Sequence, residues 1–130
     1  MSLKITRRGL ETFDANVEVS IPTTGDRYIE GRFKAHFRRV PMARYLEIVD
    51  TFQRAVGNDR LADLMEEKVR TLDEILIKVE GIADENGELS PEEQREFVLT
   101  ELIPLNAALV EFMTRYQGAA AKNSKPSPRH

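Results

Sequence analysis

The stretch VEVSIPTTGDRYIEGRFKAHFRRVP, from Val17 to Pro41, decides the fold. Val17, Val19 and Ile21 alternate with Glu18 and Ser20, the period of two that sends one face of a strand into a core. Pro22 to Asp26 then supplies turn chemistry, because proline pre-sets φ and Gly25 accepts a positive φ. In the second run Phe33, Ala35 and Phe37 share one face, while Arg32, Lys34, His36 and Arg38 share the other. Two alternating runs around a glycine-containing turn predict a β-hairpin. A lone hairpin is marginal in water, so its apolar face requires cover from elsewhere in the chain.

That cover is predicted to be helical. Val40-Pro41 marks a boundary, with Pro41 suited to the first helical position. Tyr45, Val49, Phe52 and Val56 then recur at helical spacing, widened by Leu46 and Ile48. Gly57-Asn58 ends this helix, and Asn58 or Asp59 is placed to cap the next. Leu61, Leu64, Met65, Val69 and Leu72 form a second stripe. Residues 73–82 fit two readings. Ile75, Ile77 and Val79 alternate as a strand would, whereas Leu72, Ile75, Leu76 and Val79 continue a helix. A third strand joining the hairpin is the reading adopted.

Asp84 to Gly87 reads as a turn. Ser90-Pro91-Glu92-Glu93 has the form of a capping box with proline at N1. Phe97, Val98 and Leu102 give the helix that follows its apolar side. Pro104 is expected to break or kink it near Leu102-Ile103. Leu105, Leu109, Phe112 and Tyr116, flanked by Ala108 and Met113, carry a last helix that Gly118 ends. Residues 1–13 read as a frayed lead-in, with Leu3, Ile5, Leu10 and Phe13 able to dock on the core. Residues 119–130 read as a disordered tail. The prediction is one α+β domain over 1–118: an antiparallel hairpin or three-stranded sheet packed against about four helices.

Composition narrows the function classes. With 130 residues, 41% apolar and 32% charged, the chain is sized for one modest core. A net charge of -3 argues against a general nucleic-acid binder. There is no cysteine, which removes thiol nucleophiles, thiolate metal sites and disulfides. The N-terminus lacks the apolar core of a signal peptide, and no run approaches a membrane helix, so a soluble intracellular protein is expected.

Two groups of residues merit a chemical reading. Asp84, Asn86, Ser90 and Glu93, with Gly87 between them, match positions three, five, nine and twelve of a calcium-binding EF-hand loop. Position one is Ile82, where a carboxylate belongs, and a turn plus capping box accounts for the same residues. The outward face of the hairpin, with Arg32, Lys34, His36 and Arg38 beside Arg39, is the basic concentration of the chain. It suits an acidic partner or a nucleic-acid backbone, but an ordinary solvated strand face is the favoured reading. His36 and His130 are the only histidines, and no acid–base or nucleophile constellation assembles around either. No catalytic residue, cofactor or metal is predicted.

The order of these features resembles the tail assembly chaperones of long-tailed bacteriophages. It comprises the Val-x-Val-x-Ile-Pro strand, the Gly31 to Pro41 strand, helices, a Val79-Glu-Gly81-Ile82 segment, the acidic turn, the Ser-Pro-Glu-Glu start and an Ala-Ala-Lys122-Asn123 ending. The likeness runs from about Val17 to Asn123, and the Phe-x-Ala-x-Phe strand is its most specific part. One departure is Val79, where family members often carry a tryptophan; the position reads as core packing. The resemblance implies a non-enzymatic factor in the cytoplasm of a bacterial host. Such a factor keeps the helical tape measure protein soluble, helps the tail tube protein polymerise around it, and leaves before the virion is complete. It also implies a longer form made by frameshifting near Ala121 to Asn123. Homo-oligomers fit the same partner set, which includes neither membrane nor nucleic acid. Two alternatives stand beside it: a calcium-responsive module using the loop at 84–93, and a minor structural protein of the finished tail.

Overall fold

The computed structural model describes residues 2–58 and 60–118. The fold class is α+β, as the alternation and helical spacing predict. Strands β1 (Thr12–Pro22) and β2 (Tyr28–Arg38) form the hairpin. Helices α1 (Met42–Gly57) and α2 (Leu61–Ile75) follow, then strand β3 (Leu76–Glu80). A two-stranded ribbon of β4 (Ala83–Asp84) and β5 (Gly87–Glu88) leads to α3 (Pro91–Thr100) and α4 (Leu102–Tyr116). The main sheet is antiparallel with order β1-β2-β3. Residues 119–130, with the expected tail and the frameshift position, lie outside the described residues.

The hairpin is longer at its open end than the sequence reading allowed. Thr12 and Phe13, assigned there to a frayed lead-in, pair with Arg38 and Phe37. Gly25 and Asp26 both hold positive φ in the turn, at 69° and 60°. Phe13 is the reason the strand starts early: its ring lies 5.5 Å from Phe37 and 5.6 Å from Phe112. Aromatic pairs at this spacing stabilise beyond their buried area.

All the packing is on one side of the sheet. Ala15, Val17, Phe33, Ala35, Phe37, Leu76 and Val79 are buried against Leu72, Ile75, Val98, Leu105, Leu109 and Phe112 from the helices. Val79, the departure from the family pattern, is a core position at 1% exposure. α4 lies against β1, and α3 lies against β3. Tyr45 stacks on Tyr116 with ring centroids 4.2 Å apart, and the Tyr116 hydroxyl donates to the Val40 carbonyl at 2.8 Å. These contacts fix the end of α4 to the start of α1.

Residues 73–82 combine the two readings. The helix runs through Ile75, and the chain becomes strand at Leu76. The simple alternation of Ile75, Ile77 and Val79 fails, because the register skips a residue. His36 faces Lys78, but Phe37 faces Leu76. This bulge turns Ile77 outward and lets Leu76 and Val79 both point into the core.

Other boundaries also move. Pro41 is the N-cap of α1, not its first helical residue. Leu46, Val56, Leu61 and Val69, assigned to buried stripes, are exposed, while Ile48 and Ala55 are buried. Arg60 occupies the N-cap of α2 without a side-chain cap bond, so Asn58 does not cap that helix; Asp59 lies outside the described residues. The α3 helix stops at Thr100 and Glu101 turns extended, earlier than expected from Pro104. Pro104 sits buried in the first turn of α4, where its missing N–H leaves no helical bond unmade. The two helices meet at 94°.

Candidate interaction surface

The outward face of the sheet is a mixed-charge lattice. Register places Glu18 opposite Arg32, Asn16 opposite Lys34 and Asp14 opposite His36. Lys34 Nζ lies 3.8 Å from Asp14. On the other side, His36 Nε2 is 2.5 Å from Glu80 Oε2, and Lys78 Nζ is 3.5 Å from the same oxygen. The hydrogen bond to His36, aided by Lys78, holds the Glu80 carboxyl below its ordinary pKa. Arg38, opposite Thr12, adds its field to Glu74. The four basic residues singled out in the sequence therefore share one face, but carboxylates from β1 and β3 are interleaved with them. Cross-strand pairs of this kind register and solubilise a sheet.

The loop at 84–93 is built by its own hydrogen bonds. Asp84 Oδ1 accepts from Asn86 N at 2.8 Å, an Asx turn. Gly87 holds φ 119°, which a side chain would strain. Ser90 Oγ accepts from Glu93 N at 3.2 Å, and Glu93 Oε1 accepts from Ser90 N at 3.1 Å, closing the capping box. Each EF-hand-like side chain except Asn86 is thus occupied locally. Among the described residues no three acidic, histidine or cysteine side chains converge to hold a metal.

Two residues that sequence reasoning passed over organise this region. Gln94 is buried at 2% exposure. Its Oε1 accepts from Ile82 N at 2.9 Å, and its Nε2 donates to the Leu89 carbonyl at 2.8 Å. One amide therefore ties both ends of the ribbon to α3. Arg95 donates to the Leu76 and Asp73 carbonyls, 3.0 and 2.8 Å away. It satisfies main-chain oxygens where α2 gives way to β3.

The apolar side of the hairpin is only half covered. Val17 and Phe33 are buried, Val19 and Ile21 are half-buried, and Ile29 is 61% exposed. Among the described residues β3 pairs only with Lys34 to Phe37, so the distal part of β2 has no strand partner on that edge there. The hairpin overhangs its helical support, carrying Val19, Ile21 and Ile29 on one face.

A second feature is a groove of about 620 Å³ between β1 and α4. Asn16 and Glu18 form one wall; Ala107, Val110 and Glu111 form the other. Between helices, Arg44 grips Glu74 through Nε at 3.0 Å and a terminal nitrogen at 2.7 Å, tying α1 to α2. This contact holds the Glu74 carboxyl below its usual pKa. No single helix among the described residues is long and apolar enough to cross a membrane. Comparison of the chain with protein-family models, curated proteins and solved structures returns no match.

Proposed function

We propose that this chain is a non-catalytic tail assembly chaperone. In this reading it holds a helical tape measure protein soluble in the bacterial cytoplasm, supports polymerisation of the tail tube protein, and is released before the virion is complete. The observation that carries the reading is the overhanging hairpin, whose apolar side continues as Val19, Ile21 and Ile29 past the end of the helical cover. An amphipathic helix laid on that face extends the chain's own core.

Gly31 supports the same face. It lies within β2 opposite Val19, and a Cβ there would meet nothing within 4 Å. No internal packing requires a glycine, and glycine inside a strand often marks close approach by another chain. The strength expected is modest. Fully burying one such side chain contributes about 1.5–3 kcal/mol, and these three are already partly covered. A contact of this size suits a partner that must later be released.

Co-expression tests the reading. A tape measure protein is expected to move from the insoluble to the soluble fraction when it and this chain are made together. An unchanged insoluble fraction contradicts the proposal. Finding this chain in stoichiometric amount in finished virions favours a structural tail component instead.

A further inference from the structure

We propose that the free edge of β1 receives the N-terminal segment Leu3 to Arg7 of a second copy as an added strand. Among the described residues β1 pairs only with β2, which leaves its other edge without a strand partner there over 11 residues. A helix running beside an open strand edge is an arrangement that accepts an extended peptide, with main-chain bonds on one side and side-chain contacts on the other. Here the helix is α4, and the groove beside it has an apolar patch of Ala107 and Val110, the latter 61% exposed.

The N-terminal segment has the matching pattern. Leu3 and Ile5 alternate with Lys4 and Thr6, so an extended conformation puts both apolar side chains on one face. In its own chain that face is largely open: Leu3 is 89% and Ile5 56% exposed. Residues 2–6 form no backbone hydrogen bond to any strand among the described residues. The 3-10 turn Arg8–Leu10, braced by Gly9 N donating to Thr6 Oγ1, separates the segment from β1.

Charge is compatible with the same occupant. With Leu3 and Ile5 turned towards Ala107 and Val110, Lys4 falls on the outward side, where β1 presents Asp14, 3.8 Å from Lys34 Nζ, and Glu18, opposite Arg32; Arg32 and Arg115 also line the groove. Arg7 and Arg8 extend the positive character of the donor. Opposite charges on neighbouring strands favour the pairing of Lys4 with this edge, in a groove where Glu18 and Glu111 are balanced by Arg32 and Arg115. Reciprocal donation closes a two-fold dimer, whereas one-way donation builds a head-to-tail chain. This inference concerns the chain with itself and stands or falls separately from the proposed function.

Sedimentation equilibrium of the full chain tests it, using samples from about 1 to 100 µM so that micromolar association is visible. The expected result is reversible association that weakens about tenfold or more in Ile5→Asp and in Val110→Asp, with unchanged circular dichroism. Both positions are exposed, so neither change threatens the fold. In a mixture of differently labelled chains, contacts between the Ile5 and Val110 methyls are expected across chains. A chain that stays monomeric throughout overturns the proposal. So does association that both variants leave intact, or Ile5–Val110 contacts found only within one chain.

Discussion

Arg95 on α3 donates through Nε to the main-chain oxygen of Leu76, the first residue of β3, at 3.0 Å. The same guanidinium reaches the carbonyl and side chain of Asp73. One side chain therefore brackets the point where helix becomes strand. Arg95→Ala leaves the partly buried Leu76 oxygen without its donor and is expected to cost about 1–3 kcal/mol. Urea denaturation measures it. Arg95→Lys should recover only part of the loss, because an ammonium cannot reproduce the planar fork.

The ribbon at 83–88 depends on α3. Gln94→Leu preserves the packing volume but strands the Ile82 N–H, with an expected loss of about 1–3 kcal/mol. Ser90→Ala removes the helix cap and should cost about 1 kcal/mol. Both are read by thermal melts. Calorimetry with millimolar calcium should give no binding heat, because Asp84, Ser90 and Glu93 are already hydrogen-bonded in the turn and cap. A saturable heat lost in Asp84→Ala would favour the calcium-responsive module.

Phe112 joins sheet and helices. It is fully buried and touches the rings of Phe13, Phe37, Tyr45 and Tyr116. Phe112→Ala is expected to destabilise the domain by about 3–5 kcal/mol through lost burial and a residual cavity. Such a loss is a large fraction of a small domain's stability, so partial unfolding at room temperature should be visible by near-ultraviolet circular dichroism. Phe112→Leu, which retains most of the volume, should unfold at intermediate denaturant.

Acid should weaken the fold through Glu74 and Glu80. Both carboxyls are held below their ordinary values, Glu74 first by its hydrogen bond to Arg44 and Glu80 first by its hydrogen bond to His36. A group depressed in the folded state stabilises it above the unfolded-state pKa and loses that contribution as pH falls through the folded one. Stability should therefore be insensitive to these groups above about pH 5 and decline below about pH 4. Glu74 is more than one-third exposed, so its pair with Arg44 is worth no more than about 1 kcal/mol. Glu74→Gln should flatten part of the acid limb in a pH series of urea melts.

The hairpin and the capping box are legible in the sequence because each is written locally. Alternation over Val17 to Phe37 shows which side chains share a face, and Ser90 to Glu93 carries its own cap. The helix-to-strand change at Ile75 is not, because Leu72, Ile75, Leu76 and Val79 satisfy both periods. Only pairing with β2 and the bulge at Ile77 choose between them. Arg95 and Gln94 escaped notice because their partners lie far along the chain and are main-chain atoms. The neutralised outer face could have been found. Counting back from the turn at Gly25 pairs Glu18 with Arg32, so reading β2 without its neighbour overstated the basic character. The exposed end of the hairpin stayed hidden because periodicity reports which face is apolar, not how far the helices extend over it.

The central claim is that the overhanging apolar face is where a helical partner docks. Methyl chemical-shift mapping of the chain, free and mixed with a tape measure protein, tests it most directly. The account predicts large shifts at Val19, Ile21 and Ile29, with little change at Ile75 and Val98 in the core. Shifts confined to the charged outer face around Lys34 and His36, or binding unaffected by Ile29→Glu, would contradict it.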